Sequence, residues 1–327
     1  MTRLGYQIPN FTYPGVGPAD LFDVVARQAR EADSSDFDTV LVMDHFYQLP
    51  QIGDPAENML ECYTLLSAFA RETTHVKLSS LVTGNTYRNP AVLAKTVTTL
   101  DIVSQGRAML GIGAGWFELE HDAFGIEFGT FTDRFEKLEE SLQIVGPLLR
   151  GERSTLDGKW YQVSDAMNHP APIGDVPIMI GGAGEKKTLR MVAQYASESN
   201  LICDDSEVAH KLDVLADHCA ALGRDRSEIT VSKQKNVCIA ATHDEARADL
   251  LAFFDRRGMD TSSMSDADLA PFLGLITWGS PDEIGEHFSD LLATHDGLDG
   301  FTINMLPSGH VEGRVELLGQ TLAPLFT

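Results

Sequence analysis

The chain has 327 residues, of which 48 are Asp or Glu and 25 are Lys or Arg, so its formal net charge is −23. This balance argues against a nucleic-acid partner and against docking to anionic lipid, because both need clustered basic side chains. Hydrophobic residues make up 43% and charged residues 22%, which is ordinary for a globular protein and excludes a disordered or fibrous chain.

Short apolar runs rich in β-branched residues recur along the chain and predict eight strands. In chain order they are residues 3–8, 39–43, 76–83, 107–112, 177–180, 200–203, 229–240 and 300–305. Between them, apolar residues recur at the helical spacings of three and four, as at Leu21, Val25 and Ala29. One helix is expected to begin at Asp133, with Glu136 completing a capping box. This alternation favours a closed (β/α)₈ or TIM barrel with a parallel sheet over an open doubly wound sheet.

Three long connections interrupt the alternation, at about 114–132, 151–176 and 261–281. The second contains Asp157-Gly158, a dipeptide typical of a hairpin turn. We therefore expect one TIM-barrel domain over 1–327, with insertions after strands four and seven. Two of the connections follow carboxyl ends of strands, the face at which barrel enzymes build their active sites.

Several common sites are excluded by spacing. With Gly111 and Gly113 as its first two glycines, the dinucleotide fingerprint needs its third at position 116, where this chain has Trp116, so a Rossmann site is not supported. The chain has no phosphate-binding P-loop, no His-Glu-x-x-His and no Gly-x-Ser-x-Gly. We expect no metal site.

The cysteines and the N-terminal sequence bear on location. Cys62, Cys203, Cys219 and Cys238 form no Cys-x-x-Cys pair and no spacing typical of zinc, which is the pattern of a reducing cytosol. The N-terminus lacks the apolar run of a signal peptide, and no stretch approaches the roughly 18 apolar residues of a membrane span. These observations predict a cytoplasmic protein without a membrane partner.

Polar and glycine-rich motifs follow four of the predicted strands. After the second strand, His45 could donate or relay a proton, and Asp44 could orient its ring or cap the next segment. On these two residues alone, a hydrogen-bonded structural histidine is the more common case. After the third strand, Thr83, Gly84 and Asn85 indicate either a bulge where the backbone approaches a ligand or an ordinary turn.

The motifs after strands four and five lack bulky side chains. Gly113, Ala114 and Gly115 leave room for a flat ring and Trp116 offers a stacking face, although tight packing of the insertion would use the same residues. The motif after strand five opens a helix, where free backbone N–H groups and nearby lysines favour a phosphate over a merely solvated helix start. It consists of Gly181, Gly182, Ala183, Gly184, Glu185, Lys186 and Lys187.

At these residues the chain resembles the luciferase-like (β/α)₈ oxidoreductases, specifically the branch that depends on the deazaflavin coenzyme F420. The matching stretches run nearly end to end. They are QIPNF at 7–11, VMDHFYQLP at 42–50, LVTGNTYRNPAVLAK at 81–95, LDIVSQGRAMLGIGAGWFELEH at 100–121, IGGAGEKKTLR at 180–190 and GSPDEIGEHF at 279–288.

The resemblance implies a cofactor ring in the barrel mouth, a phosphate on 181–187 and a non-proline cis-peptide bulge at 83–85 behind the ring. His45 matches a histidine that acts in the glucose-6-phosphate dehydrogenases of this superfamily. Those enzymes also use a glutamate at the end of strand four, where this chain has Trp116, with Glu118 and Glu120 nearby but displaced. This departure argues against a sugar-phosphate substrate.

The resemblance therefore implies an enzyme that transfers a hydride between coenzyme F420 and a small organic substrate, with His45 handling the proton. One alternative is a monooxygenase that uses reduced flavin mononucleotide (FMN) and oxygen in the same barrel. Another is a cofactor-binding barrel without catalysis. Because relatives are often dimers, a homodimer is a candidate assembly.

Overall fold

A computed structural model describes residues 2–326, in which twelve strands and eleven α-helices alternate along the chain. The strands are β1 (Leu4–Ile8), β2 (Thr39–Val42), β3 (Lys77–Ser80), β4 (Thr83–Gly84), β5 (Leu110–Gly113), β6 (Ser154–Asp157), β7 (Gln162–Ala166), β8 (Ile178–Gly181), β9 (Glu198–Leu201), β10 (Thr230–Ile239), β11 (Thr277–Gly279) and β12 (Gly300–Asn304).

The helices surround the strands. They are α1 (Leu21–Asp33), α2 (Cys62–Glu72), α3 (Pro90–Ser104), α4 (Glu118–Phe124), α5 (Phe131–Leu149), α6 (Thr188–Tyr195), α7 (Val208–Leu222), α8 (His243–Arg256), α9 (Asp266–Leu273), α10 (Pro281–Thr294) and α11 (Arg314–Leu322). None of these helices is long and apolar enough to cross a membrane.

The main sheet is parallel and closes into a barrel. Its strand order is β3-β2-β1-β12-β10-β9-β8-β5-β4, and a parallel bridge between Leu78 and Ala108 joins the β3 edge to the chain entering β5. Eight strands form the ring, with β4 a short continuation beyond β3, and each of the eight predicted segments overlaps one of them. The predicted TIM barrel is confirmed.

The predicted insertions contain additional elements. Residues 114–132 include α4, and residues 151–176 form the antiparallel hairpin of β6 and β7, with its turn after Asp157 as expected. Between β10 and β12 the chain forms α8 and then residues 261–281, which contain α9 and β11. Strand β11 lies outside the ring and pairs with Val237–Ile239 at the carboxyl end of β10.

The predicted start of α5 is wrong by two residues. Thr130 is the extended N-cap residue, its hydroxyl accepts from the N–H of Asp133 (3.2 Å), and the Asp133 carboxylate accepts from the N–H of Thr130 (3.0 Å). Asp133 is therefore the second member of the capping box rather than its first. Glu136 instead accepts hydrogen bonds from Lys159 and Trp160 in the hairpin.

The apolar core lies mainly between the sheet and its helices, while the barrel interior is mixed. Leu41, Met109 and Met179 pack together in the interior. Elsewhere in the interior the Asn200 amide donates to Ser232 (3.0 Å) and Thr302 (2.8 Å). Because buried polar groups need partners, these hydrogen bonds between neighbouring strands stabilise a polar side chain in the interior.

Gly111 allows a close backbone contact that holds β5 against the end of β3. A Cβ added at Gly111 would lie 2.0 Å from the Ser80 carbonyl oxygen, far inside contact distance. We expect Gly111→Ala to lower the free energy of unfolding by at least about 1–3 kcal/mol, as overpacked cores do. Urea unfolding checks this value.

Gly146→Ala in α5 is the matched control, since its added carbon would meet only the Arg150 guanidinium, at 3.5 Å. Removing glycine from a helix interior is expected to stabilise the protein by roughly 0.5–1 kcal/mol. Equal effects of the two substitutions would contradict the role assigned to Gly111.

Candidate active site

A cavity of about 650 Å³ opens at the carboxyl ends of the barrel strands. Most of the residues singled out from the sequence line it, namely Asp44, His45, Thr83, Gly84, Gly113, Ala114, Gly115, Trp116, Gly181 and Gly182. The remaining residues of that set, Asn85, Ala183, Gly184, Glu185, Lys186 and Lys187, lie outside the lining. The predicted motifs after four separate strands thus meet around one space.

His45 is held at the cavity wall by Glu120. The Nδ1 atom of His45 lies 2.8 Å from Glu120 Oε2, and the Glu120 side chain is fully buried. A carboxylate only accepts hydrogen bonds, so Nδ1 carries a proton and Nε2 is the ring atom left for the cavity. No group within residues 2–326 hydrogen-bonds this Nε2 atom.

Glu120 accepts four hydrogen bonds in all. Besides His45, the hydroxyl of Tyr87 donates to Oε2 (2.5 Å), and the backbone N–H groups of Phe46 and Tyr47 donate to Oε1, the latter at 2.9 Å. Burial alone would raise the pKa of Glu120, but these hydrogen bonds, led by that from His45, outweigh it and hold the pKa below its ordinary value. Glu120 is therefore ionised and fixes the segment that carries His45.

Asp44 does not orient the His45 ring, one of the two roles considered for it. Its carboxylate pairs with the Arg88 guanidinium at 2.5 and 3.0 Å, and Arg88 also contacts Glu61 at 2.7 Å. Asp44 is fully buried, so this two-point contact satisfies a carboxylate that would otherwise be costly to bury. The pair ties the end of β2 to the loop before α3.

A non-proline cis peptide bond is present, but it lies immediately before the predicted segment 83–85. It joins Leu81 and Val82. The Val82 side chain packs where Cβ atoms of Gly113 and Gly181 would stand, each 2.9 Å from a Val82 methyl carbon. These two glycines therefore make room for Val82, which itself lines the cavity.

Asn85 supports the cavity from behind rather than lining it. Its buried amide donates to the carbonyl oxygens of Gly113 (3.2 Å) and Ala114 (2.8 Å). The loop after β5 is thereby fixed against the loop after β4. These hydrogen bonds hold Gly113 and Ala114 at the rim of the cavity.

The glycine-rich segment at 181–187 disperses its charges. Glu185 pairs with Lys211 (2.6 Å), Lys187 lies over the rings of Phe131 and Phe135 at 5.3 Å, and Lys186 is exposed. The backbone N–H groups of residues 183–187 donate to no acceptor within residues 2–326. What the segment offers an anion is therefore its N–H groups at the start of α6.

Two kinds of surface complete the cavity. Its floor is polar, with Gln7, Gln234, Asn236 and Asn304 on β1, β10 and β12, and the buried Asn304 Oδ1 has no hydrogen-bond partner within the described chain. Its walls are largely apolar or aromatic. Trp116 stacks on Phe117 (5.3 Å, 29°) and meets the His45 ring edge-on (5.9 Å, 72°).

Sequence reasoning missed Glu120, Tyr87 and the polar floor. In the sequence, Glu120 is displaced from the position at which the resemblance implies a glutamate. It nevertheless follows the buried Phe117 by three residues, and helical periodicity places two such residues on the same inward face. Gln234 and Asn236 are polar residues two apart in a buried strand, a pattern that places both in the barrel interior. Within residues 2–326, no three metal-binding side chains are grouped.

Comparison with known proteins identifies relatives of this chain and a family. The F420-dependent glucose-6-phosphate dehydrogenase of Microbacterium testaceum is 30% identical over 250 residues, which cover 75% of this chain and 70% of the relative. Alignments with three further F420-dependent glucose-6-phosphate dehydrogenases span only 45–56% of those relatives' length. The 5,10-methylenetetrahydromethanopterin reductase of Methanolobus tindarius is 29% identical, covering 76% of this chain and 75% of the relative.

Solved structures share the fold over the whole chain. The coenzyme F420-dependent tetrahydromethanopterin reductase of Methanopyrus kandleri superposes with a TM-score of 0.77 at 19% identity, covering 100% of this chain and 99% of the other. The luciferase-like monooxygenase family model matches residues 2–295. A barrel with this cavity and a match over most of its length places the chain in the luciferase-like monooxygenase family.

Proposed function

We propose that this protein is a coenzyme F420-dependent oxidoreductase that transfers a hydride between the cofactor and a small organic substrate. The observation that carries the proposal is the 30% identity, over three quarters of the chain, to an F420-dependent dehydrogenase. Coenzyme F420, when bound, would supply the hydride chemistry at its deazaflavin ring. The protein would supply the binding surface and the proton.

The residues of the cavity fit a flat heterocycle with an anionic tail. The volume of about 650 Å³ lies within the usual range for cofactor pockets. The unpartnered Asn304 Oδ1 and the neighbouring Gln7 and Gln234 amides offer hydrogen bonds to a polar ring edge. The free N–H groups at 183–187, with Lys187 close by, would hold the phosphate.

His45 would move the proton that accompanies the hydride. Its Nε2 atom accepts a proton when a substrate hydroxyl is oxidised and returns it when a carbonyl is reduced. The Glu120 carboxylate holds the ring in the required tautomer and stabilises the charge that the ring gains. Trp116, which is 54% exposed at the rim, would cover the substrate.

Equilibrium titration tests the cofactor assignment. Purified protein is titrated with oxidised coenzyme F420 and, separately, with FMN, and saturable F420 binding in the micromolar range is expected. Gly113→Val should weaken it roughly tenfold or more, because the added carbons push Val82 into the cavity. Gly17→Ala is the control, since its added carbon meets nothing within 4 Å.

If the protein binds neither cofactor, the proposal is refuted. Tight F420 binding without turnover of any compound in a broad panel of substrates would indicate a non-catalytic barrel. Because the family is that of the luciferase-like monooxygenases, an FMN-dependent monooxygenation is the second candidate. Oxygen consumption with reduced FMN, in the absence of F420, would favour that reaction.

A further inference from the structure

A second, smaller cavity lies beside the first at the same end of the barrel. Its volume is about 320 Å³, and Leu306 lines both cavities. Residues 10–14 follow β1, Leu306 and His310 follow β12, Glu57 lies between β2 and α2, and residues 253–257 come from the C-terminal end of α8. The smaller cavity, called the side pocket below, therefore belongs to the added segment after β10 as much as to the barrel.

Two arginines dominate the charge of the side pocket. Arg256 and Arg257 line it, and neither forms an ion pair within residues 2–326, although acidic residues outnumber basic ones 48 to 25 in the chain. The Arg257 guanidinium lies 4.6 Å from the centre of the Phe253 ring, which restrains it. Two adjacent unpaired guanidinium groups in such an acidic protein are suited to an anionic ligand.

Neither of the two nearby carboxylates forms an ion pair with Arg256 or Arg257 in the described chain, although the charge of Glu57 acts on Arg257. Glu57 also lines the side pocket, but its carboxylate lies against Gly53 and accepts from the Asp54 N–H at 3.4 Å. Asp255, next to Arg256, accepts from the N–H and hydroxyl of Thr261 at 2.9 and 2.7 Å. Glu57 would still oppose an anion through space, so the ligand must contact both guanidinium groups.

His310 supplies a neutral hydrogen-bonding group to the side pocket. Its ring stacks on Tyr13 (5.3 Å, 16°), and its buried Nδ1 atom has no partner within the described residues. Burial, together with the charges of Arg256 and Arg27, lowers the pKa of His310 to about 4. A neutral imidazole can donate one hydrogen bond to an anionic oxygen without adding charge.

The position of the side pocket separates it from the glycine-rich segment. Around the ring of eight strands, β1 lies four steps from β8 in either direction, so the two are opposite one another. An anion in the side pocket would thus lie across the main cavity from a phosphate on residues 183–187. A cofactor whose phosphate is held by residues 183–187 would leave the side pocket free for the substrate.

We propose that the side pocket binds an anionic group, a phosphate or carboxylate, of the substrate that reacts in the main cavity. The assignment to substrate rests on the function proposed above, whereas anion binding itself does not. The substrate would then be an organic acid or a phosphate ester. Its charged group would lie in the side pocket, separated by Leu306 from the carbon that reacts in the main cavity. Arg256 and Arg257 are the residues that would select it.

Calorimetric titration with inorganic phosphate tests anion binding without any cofactor. The wild type, the Arg256→Gln/Arg257→Gln double variant and Arg71→Gln are compared after melting temperatures show that all are folded. Arg71 is an exposed arginine of α2 without an ion pair in the described chain. One phosphate site should weaken about tenfold or more in the double variant only, while any phosphate bound by residues 183–187 should be held equally in all three proteins. Equal affinity in the wild type and the double variant would overturn the proposal.

Steady-state kinetics with F420 and a pair of alcohols, one carrying a terminal phosphate and one neutral, tests the assignment to substrate. In the double variant, KM for the phosphorylated alcohol should rise about tenfold or more, with kcat and the KM of the neutral alcohol unchanged. An equal change for both alcohols would overturn it. Failure of F420 to support any turnover would refute the proposed function, while the phosphate titration would still decide whether the side pocket binds anions.

Discussion

Replacing His45 by Asn is expected to lower turnover about 10²–10⁴-fold, the usual contribution of a general acid or base. An Asn amide can take the place of Nδ1 and keep the hydrogen bond to Glu120, but it has no atom where Nε2 stands. The substitution therefore removes the proposed proton carrier and retains the structure around it. Steady-state assays that follow F420 absorbance measure the loss.

The affinity of His45→Asn for oxidised F420 should stay within about threefold of wild type, which is a change in binding free energy below roughly 0.7 kcal/mol. This second measurement separates a loss of chemistry from a loss of the site. Turnover that stays at the wild-type level would show that His45 is structural. An equal loss of turnover and cofactor binding would mean that it only shapes the cavity.

Replacing Glu120 by Gln should lower both stability and turnover. Gln has a single acceptor oxygen, so it cannot accept from both the Oε1 pair, Phe46 and Tyr47, and the Oε2 pair, His45 and Tyr87. Each buried donor left without a partner costs about 1–3 kcal/mol. Urea unfolding at neutral pH gives this loss, and kcat should fall because the His45 tautomer is no longer fixed.

The same substitution should change how stability depends on pH. The pKa of Glu120 is lowered in the folded state, so its contribution is present above the ordinary pKa of about 4.3 and is lost as pH falls through the folded value. Below about pH 4.3, unfolding free energy should therefore fall less steeply in Glu120→Gln than in wild type.

Glu118→Gln provides the control for Glu120. Glu118 lies two residues earlier, on the exposed face of α4, and its carboxylate accepts no hydrogen bond within residues 2–326. This variant should match wild type in stability, turnover and pH dependence. If it behaved like Glu120→Gln, the effect would stem from the net charge of α4 and not from the buried hydrogen bonds.

The ring of strands could be predicted because each strand is a short apolar run bounded by polar or helical sequence. The predicted start of strand β9 is two residues late. The strand begins with Glu198, a buried acidic residue, and an acidic residue is not part of the apolar pattern that predicts a strand. The start of α5 was misplaced because Thr130 and Asp133 are both good capping residues, and only the backbone distinguishes them. The organisation as a single domain, the cytoplasmic location and the homodimer stay predictions.

The site was predictable where one strand end carries its own signal, as at His45 and Gly113. It was not predictable where function depends on contacts between distant segments. Glu120 meets His45 across 75 positions of the chain, and Arg88 meets Asp44 across 44. Local patterns give residue types and faces, but such pairings arise only when the barrel closes. The side pocket is built from four separate parts of the chain and shows no local sequence pattern.

Strand β11 joins the barrel at the end of β10, and the Ala240 N–H donates to the Gly279 carbonyl (3.2 Å), so segment 240–279 leaves and re-enters the fold at nearly one point. Its length and sequence are therefore free to diverge while the eight-membered ring stays intact. Exchange of this one segment after gene duplication would alter which substrates an enzyme accepts. The residues that bind the coenzyme would stay unchanged. Chimeras in which segment 240–279 is exchanged between related barrels offer a direct route to enzymes that accept new substrates.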